Sequence, residues 1–337
     1  MNELDLSSYK NHNFAVYCGY IDDNEKLLQS ASGGIATAMA EMMVASNGYV
    51  AGVAYDATYE NAEYILVNDV EGIKKLRGSK YVESQKNNIY RDVKALLEQD
   101  ERVLFIGLPC EVGALRKIVG KEYDYLITCE LICHGPTTQA VHHQYLQFLK
   151  NKYKSDIISF TVRYKKRGWT PLYLRAEFEN GNVFEKPFYD TEYGVAFSIM
   201  SRKACFNCQF KGSECVGDIM IGDYWGLEKD NECWNDNGVS VVFVRTEKGE
   251  TFIKGISNVK LFSTDFEHAI RENMNVVRVR LKPENYDSFS KMFIEHGLFY
   301  AVKSSQTPKA RIFSMIKRVL PMSCVEILKK IKTAIRG

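Results

Sequence analysis

The first half of the chain alternates between strand-like and helix-like segments, and this alternation constrains the fold more than any other feature. Apolar strands are predicted at Phe14–Tyr20, Tyr49–Asp56, Tyr64–Asn68, Arg102–Ile106 and Tyr125–Cys133. Helical spacing is found at Ser30–Ser46, Asn88–Gln99, Glu111–Val119 and Thr138–Tyr153. Strands that alternate with helices predict an α/β fold with a partly parallel, mixed sheet and flanking helices. We therefore expect an N-terminal α/β half over residues 1–155.

The second half departs from this pattern and has α+β character. Over residues 156–186 the apolar positions recur with a period of two, and the pair Asn180-Gly181 marks a tight turn. These features predict an antiparallel hairpin inserted beside the main sheet. The other predicted elements are a helix at Glu192–Arg202 and strands at Asp218–Asp223 and Val239–Val244. We bound this half at residues 156–300.

The end of the chain carries a separate charge pattern. Residues 307–337 contain eight Lys or Arg against one Glu, which leaves 36 basic and 41 acidic residues before them. Apolar residues at helical spacing lie between these cations, and Pro321 divides them into two segments. We expect a basic amphipathic tail over residues 301–337. An amphipathic helix pair on an anionic inner membrane face fits this pattern, and a terminal helix that docks on a partner or packs on the protein fits it equally.

Composition bounds the class of protein and its compartment. No apolar run approaches the roughly 18–20 residues that span a bilayer, and the first 13 residues are polar, unlike a secretory leader. We therefore expect a cytoplasmic protein in a reducing environment, and nucleic acid is not among its expected partners. Nine cysteines in such a compartment favour metal ligands, catalytic groups or buried inert residues over disulfides.

The densest cysteine motif is ACFNCQFKGSEC, which contains Cys205, Cys208 and Cys215. Two thiolates three residues apart can bind one metal centre, each at about 2.3 Å. A redox dithiol or two buried residues fit the same spacing. Cys215 is a candidate third ligand.

Two further cysteines follow predicted strands directly. Cys110 comes after a buried strand and the tripeptide Gly-Leu-Pro, and Cys133 ends another strand immediately before His134. Both therefore lie at carboxyl ends of strands, where open α/β sheets gather their active sites. Cys129, on the same strand as Cys133, is interpreted as a core residue. The isolated cysteines that we interpret as structural are Cys18 and Cys324.

Two polar loops have a composition suited to anions. The first contains Ser32, Gly33 and Gly34 at the start of a predicted helix, where close backbone approach and free amides favour phosphate. It matches neither a Walker loop nor a dinucleotide fingerprint, and an ordinary turn is its commoner meaning.

The second loop reads Arg77, Gly78, Ser79, Lys80 and Tyr81. Two cations, a hydroxyl and an aromatic ring are typical of a loop that clamps a pyrophosphate and stacks on a ring. A charged surface loop fits the same residues equally.

A third motif, GDIMIGDYWG, places Asp218 and Asp223 on either side of an apolar strand before Trp225. One interpretation is a loop that closes over a cofactor, and the other is a buried strand that ends in a turn. Magnesium binding is disfavoured because opposite strand faces would separate the two acids.

Seven motifs together carry a family resemblance over residues 14–260. They are SASGG, RGSKYVES, VLFIGLPCEVGALR, LICHG, KKRGW, CFNCQFK and GDIMIGDYWG. In order and approximate spacing they resemble the beta subunit of coenzyme F420-reducing hydrogenases and related dehydrogenases. The resemblance implies an iron–sulfur flavoprotein oxidoreductase that binds FAD and one 4Fe-4S cluster. Such a protein passes electrons between the cluster and a deazaflavin or other organic acceptor.

The same resemblance implies a site. Cluster ligands are expected at Cys110, Cys133, Cys205 and Cys208, with Cys215 as an alternative. Contacts to FAD are expected from Ser32, Gly33 and Gly34 and from Arg77, Gly78, Ser79, Lys80 and Tyr81. Lys80 and His134 are two candidates for donating a proton or tuning the charge of the flavin.

The chain departs from many relatives in one respect. Cys18 is the only cysteine before Cys110, so we expect no N-terminal ferredoxin module with its closely spaced cysteines. A separate electron donor, such as a ferredoxin, is therefore expected, together with a small-molecule acceptor. Compact relatives also resemble proteins found with polysaccharide biosynthesis enzymes. The alternative function is thus a glycan-modifying or scaffold protein that retains the fold without redox turnover.

Overall fold

A nine-stranded mixed sheet organises the larger of two units, which meet in the sequence at Lys282 and Pro283. The computed structural model describes residues 15–305, so the second unit is described over 283–305. The strands are β1 (Ala15–Ile21), β2 (Tyr49–Tyr55), β3 (Ala62–Val67), β4 (Ser84–Gln85), β5 (Val103–Gly107), β6 (Leu126–Leu131), β7 (Ile157–Tyr164), β8 (Tyr173–Phe178), β9 (Val183–Pro187), β10 (Ile219–Asp223), β11 (Ser240–Val244) and β12 (Val259–Ser263). The helices are α1 (Asn24–Gln29), α2 (Ile35–Ala45), α3 (Val70–Leu76), α4 (Ile89–Leu97), α5 (Pro109–Val119), α6 (Gln139–Tyr153), α7 (Glu192–Ile199), α8 (Glu247–Lys254), α9 (Phe266–Ile270), α10 (Tyr286–His296) and α11 (Leu298–Ser305).

The large sheet has the strand order β12-β1-β11-β10-β6-β5-β2-β3-β4. At its centre β10, β6, β5 and β2 are parallel, whereas β11, β1 and β12 add antiparallel strands on one side. On the other side β3 is antiparallel to β2, and the short β4 is parallel to β3. The prediction of an α/β fold with a mixed, partly parallel sheet is therefore confirmed.

Successive residues of the central strands face two different cores. On β5, Leu104 packs in a core that contains Met39 of α2. Its neighbour Phe105 packs in another core, with Val93 of α4 and Leu115 of α5. Side chains alternate between the faces of a strand, so helices cover both faces of this sheet. Parallel strands require such cover because they are apolar on both sides.

The predicted antiparallel insertion is present as a separate sheet. Its order is β7-β8-β9, with both pairs antiparallel. The turn between β8 and β9 contains Gly181 at a φ of 81°, and the N–H of Phe178 donates to the carbonyl of Asn182 at 3.0 Å. A positive φ favours glycine, which explains the signal in the sequence. The insertion has three strands and not the two of a hairpin, because β7 pairs with β8.

Two helix boundaries differ from the prediction in ways that affect the site. The helix expected from Ser30 begins only at Ile35, because Gly34 adopts a φ of 80° and ends a loop. The helix expected from Glu111 begins earlier, at Pro109, because proline suits the first helical turn. Cys110 therefore lies inside a helix and not in a loop before it.

Among residues 15–305, no helix is both long and apolar enough to cross a membrane. The amphipathic segments predicted for the basic tail, residues 307–337, lie outside the described residues.

Candidate functional site

A cavity of about 380 Å³ opens at the carboxyl edge of the parallel strands. Residues at or just beyond the ends of β5, β6 and β10 line it, including Leu108, Cys133 and Asp223. Ligand pockets typically occupy about 300–1,000 Å³, and open α/β sheets bind ligands at this edge. The cavity is thus the principal candidate site in the described part of the chain.

The glycine loop forms one wall of the cavity. Gly33 has no room for a side chain, since a Cβ would lie 2.6 Å from the backbone nitrogen of Ser240 and closer still to the carbonyl oxygen of Gly19. Its N–H donates to Oγ of Ser240 at 3.0 Å. Gly34 then turns with positive φ into α2, whose first residue, Ile35, lines the cavity. The amides at the N-terminus of a helix favour an anion. The first turn of α2 carries no acidic residue, so no carboxylate of that turn competes for them.

The Arg-Gly-Ser-Lys-Tyr loop forms the adjoining wall. Arg77 donates through Nη1 to Gln29 and through Nη2 to Glu41 at 3.4 Å, while its buried Nε has no partner among the described residues. Nζ of Lys80 donates to three carbonyl oxygens at the end of α3, at 3.1, 2.9 and 2.9 Å. Desolvation lowers the pKa of Lys80 to about 7. Lys80 therefore holds the loop against α3.

Tyr81 begins a column of rings that extends to the predicted cluster region. Its ring stacks on Phe197 of α7 with centroids 4.5 Å apart, and Phe197 stacks on His134 at 5.1 Å. Burial, with Arg280 and Lys211 nearby, lowers the pKa of His134 to about 4, so its imidazole is neutral near pH 7. Arg280 donates to Nδ1 at 3.3 Å. Arginine only donates, so the ring proton lies on Nε2.

The four cysteines predicted as ligands come from three separate segments. Cys110 lies in the first turn of α5, Cys133 follows the end of β6, and Cys205 and Cys208 lie in and after a short 3-10 helix at Lys203–Asn207. Burial raises the pKa of Cys110 and takes that of Cys133 to about 12, while Arg202 and Lys211 act in the lowering direction on Cys110 and Cys133. Cys208 adds to the rise at Cys110, and both Cys110 and Cys205 add to that at Cys133. The fold thus brings all four thiols within electrostatic reach of one another.

Two glycines allow the cysteine segments to approach. A Cβ on Gly113 of α5 would lie 3.0 Å from Cζ of Phe210, so the ring occupies the space of a missing side chain. Gly135 has a φ of 102°, and a Cβ there would lie 3.4 Å from Cβ of Cys205. The cysteine-rich loop is therefore packed directly on α5 and on the turn after β6.

Within residues 15–305, no group of three or more His, Cys, Asp or Glu side chains forms a site for a single metal ion. A 4Fe-4S cluster is bound differently, because each of four thiolates binds its own iron atom. Positive groups border these thiols: Arg202 donates through Nη2 to Sγ of Cys110 at 3.9 Å, and Lys211 donates to the carbonyl of Cys133 at 2.7 Å. The ligand assignment stays a prediction.

The other cysteines have different surroundings. Cys129 is fully buried on β6 in the core beneath α2, as interpreted from the sequence. For Cys215, burial raises the pKa to about 11, and the nearby charges are those of Arg245, Glu130 and Lys211. Cys215 also packs against the apolar core that contains Met220, so it has both ionic and apolar neighbours. Its place as an alternative ligand stays a prediction.

The sequence analysis missed a buried ionic group that contacts the glycine loop. Arg163, at the end of β7, donates to Asp223, to the carbonyl of Ala31 and, at 3.2 Å, to the hydroxyl of Tyr81. Trp169 also donates to Asp223, through Nε1 at 2.7 Å. Trp169 lies in the motif KKRGW and Asp223 in GDYWG, and Arg163 lies just before the first motif. These motifs are far apart in the sequence, and strand order brings their residues into contact. Asp218 lies apart from this group, where its carboxylate accepts from the N–H of Thr128 at 2.8 Å.

The fold and the cavity define an α/β protein with a ligand site at the carboxyl edge of a mixed sheet. The family model for the C-terminal part of the coenzyme F420 hydrogenase/dehydrogenase beta subunit matches residues 100–268, half of the 337 residues. The chain therefore belongs to the coenzyme F420 hydrogenase/dehydrogenase beta-subunit family.

Two further similarities agree with this assignment. The chain is 24% identical over 264 residues to coenzyme F420 hydrogenase subunit beta of Methanococcus voltae, covering 76% of this chain and 85% of that protein. It also resembles a chain of the F420-reducing nickel–iron hydrogenase complex from Methanosarcina barkeri, with a TM-score of 0.52 and 18% identity. That likeness covers 85% of this chain and 94% of the other, and it concerns the fold.

Proposed function

We propose that this protein is an oxidoreductase that passes electrons between a 4Fe-4S cluster, FAD and an organic acceptor. The observation that carries the proposal is the shared cavity. The glycine loop and Arg77 border it on one side, while Cys133 and His134 border it on another. Two predicted cofactor sites are thus neighbours at one sheet edge, as electron exchange between them requires.

The glycine loop and Arg77 suit the diphosphate of FAD. The backbone at Gly33 and Gly34 leaves the amides of the α2 N-terminus open, and the buried Nε of Arg77 has a proton without an acceptor in the described residues. A buried, unsatisfied donor costs about 1–3 kcal/mol. An anionic ligand would remove that cost. FAD, when bound, exchanges electron pairs with organic acceptors and single electrons with iron–sulfur clusters.

Cys110, Cys133, Cys205 and Cys208 would supply the four thiolates. The raised pKa values of Cys110 and Cys133 as free thiols disfavour the ionised form, so cluster binding would have to displace protons. Arg202 and Lys211 contribute positive charge beside Cys110 and Cys133, and this charge would offset part of the negative charge of a thiolate-bound cluster.

For tuning the charge of the flavin or of the acceptor we favour His134 over Lys80. Lys80 directs its amine at three carbonyls, and its hydrogen atoms are engaged there. His134 lines the cavity, is neutral near pH 7 and has its proton on the nitrogen opposite the one bound by Arg280. A neutral imidazole can donate a hydrogen bond through this N–H to an acceptor that takes up electrons, and so stabilise the negative charge that develops there.

Three features of the cellular role extend this proposal. A separate donor, such as a ferredoxin, would supply electrons, and a small molecule related to coenzyme F420 or a glycan precursor would accept them. The relative from Methanococcus voltae is described as a coenzyme F420 hydrogenase subunit, and this favours a deazaflavin as the acceptor. We further propose that the protein works in the cytoplasm, with its tail on the inner membrane face, and that it serves polysaccharide biosynthesis.

Anaerobic purification followed by iron, sulfide and flavin analysis tests the proposal. We expect about four iron atoms and one FAD per chain. Cys205→Ser should lose most of the iron with the fold retained, whereas Cys324→Ser, outside the predicted ligand set, should keep it. A colourless protein without iron or flavin would overturn the proposal and favour the glycan-modifying or scaffold alternative. Iron loss in Cys215→Ser but not in Cys208→Ser would show that Cys215 is a ligand in place of Cys208.

A further inference from the structure

Two cations of the small antiparallel sheet contact the backbone of the glycine loop. Arg163 is 5% exposed, and its Nε donates to the carbonyl oxygen of Ala31 at 3.1 Å. Lys165 is 8% exposed, and its Nζ donates to the carbonyl oxygens of Leu27 and Ser32 at 2.6 and 2.7 Å. Removing a cation from water costs free energy. Two buried cations beside one loop therefore indicate a specific structural role and not only a contribution to solubility.

The carbonyls of the loop are all engaged. Arg163 binds that of Ala31, Lys165 binds that of Ser32, and the N–H of Ile21 donates to that of Gly33 at 2.7 Å. A carbonyl and the N–H of the same peptide point in opposite directions. Three consecutive peptides are therefore fixed in orientation, and none of these carbonyl oxygens is left to face an anion.

We infer that Arg163 and Lys165 are positioning residues that hold the glycine loop in its anion-binding conformation. The inference rests on the proposed function, because the anion is the diphosphate of FAD. The Ser32–Gly33 peptide is held at both ends, because Lys165 binds its carbonyl oxygen and its N–H donates to Oγ of Ser240. Glycine tolerates both signs of φ, so a flip of this peptide is sterically easy. A flip would break both contacts and change the direction in which Gly34 leads into α2, and the hydrogen bond from Lys165 opposes it.

Arg163 also neutralises the carboxylate of Asp223. The carboxylate accepts from Arg163 and from Nε1 of Trp169 at 2.7 Å, and it lines the cavity. Removing Arg163 would leave a buried anion near the ligand, which would repel a diphosphate whatever the loop did. A test must separate this repulsion from loss of loop order.

The first measurement is hydrogen–deuterium exchange of the FAD-free protein. In Lys165→Met and in Arg163→Met/Asp223→Asn we expect the amide of Gly33, which donates to Oγ of Ser240, to exchange about tenfold faster, because the loop that holds it in place is less ordered. Arg175→Met is the matched control, because Arg175 lies on β8 of the same sheet and pairs with Glu177 and Glu185. Wild-type exchange in both cation variants would overturn the inference.

The second measurement is FAD affinity, by anaerobic fluorescence titration. We expect Kd to rise about tenfold or more in Lys165→Met and in Arg163→Met/Asp223→Asn, and to stay unchanged in Arg175→Met. Full recovery of affinity in the double variant relative to Arg163→Met would mean that only charge repulsion mattered, and would overturn the role of Arg163.

Conservative variants keep the test decisive if methionine variants fail to fold. Lys165→Arg retains a cation and should retain most of the exchange protection, whereas Lys165→Gln should lose it. Equal protection in the two would overturn the inference. If the wild-type protein bound no FAD, the proposed function would fail, while the exchange measurement would still decide the role of these residues.

Discussion

The ring of Phe210 packs on α5 at Gly113, in the space that any side chain there would fill. This contact seats the cysteine-rich loop beside Cys110. We expect Gly113→Ala to destabilise the fold by about 1–3 kcal/mol, as overpacking usually does, and to lower the iron content by displacing the loop. Anaerobic iron analysis and urea unfolding measure the two effects.

A control for this substitution is Gly255→Ala, at the end of α8. The nearest atom to a Cβ there would be 3.4 Å away, and the backbone conformation is helical. It should keep its iron and be as stable as the wild type or slightly more stable. Full iron content in Gly113→Ala would show that the loop accommodates the extra methyl group.

The pH dependence of stability reports on Lys80. Desolvation lowers its pKa to about 7 in the folded protein, whereas lysine in an unfolded chain titrates near 10.4. Between these values the unfolded state binds more protons, so the free energy of unfolding rises with pH, by at most about 1.4 kcal/mol per pH unit. We expect Lys80→Met to show a smaller rise than the wild type between pH 7 and 8.5.

Urea titrations at the two pH values measure this difference. Lys80→Arg provides a second comparison, because it keeps a cation at the end of α3 but does not titrate in this range. It should lose the same part of the slope. The lowered pKa of Lys165 has the same sign, so some slope should persist in both variants. An unchanged slope in both would contradict the assignment to Lys80.

His134 is expected to matter for turnover and not for cofactor content. If its N–H stabilises the negative charge that develops on the acceptor, His134→Gln should reduce the rate of F420 reduction by about 10²–10³-fold, the usual effect of disturbing one preorganised donor. The measurement uses reduced benzyl viologen as the electron source and follows F420 absorbance. FAD and iron content should match the wild type.

The comparison for this prediction is Lys80→Met. Because Lys80 holds its loop through three carbonyls, we expect less bound FAD, but near wild-type turnover for each FAD that remains. If turnover were lost in Lys80→Met and kept in His134→Gln, then Lys80 and not His134 would be the residue that acts in turnover.

The basic tail is expected to bind anionic membranes. Deleting residues 307–337 removes eight basic residues and one acidic residue, and each cation near an anionic surface contributes about 1 kcal/mol to binding. We expect the full-length protein to float with anionic vesicles and the truncated one to stay at the bottom of the gradient. Neutral vesicles are the control. Equal partitioning of the two proteins would favour a protein-docking role.

Many residues of the candidate site could be proposed from the sequence, because its parts are local. The Ser-Gly-Gly turn, the CxxC pair and the cysteines after β5 and β6 each have a recognisable neighbourhood. Local signals were less reliable at helix ends. Helix α2 begins at Ile35 and not at the predicted Ser30, because Gly34 adopts a left-handed conformation. Helix α5 begins at Pro109 and not at the predicted Glu111, because proline suits the first helical turn.

The sequence by itself determined the α/β alternation, the antiparallel insertion and the family, since hydrophobic period and motif order are properties of neighbouring residues. Only the tertiary structure decided which distant residues meet. Arg163 reaches Ala31 across 132 residues, and Cys205 approaches the turn at Gly135. Such contacts depend on strand order and on the packing of one loop against another. No periodicity within a segment encodes them, because the chain can place the same segment beside many others.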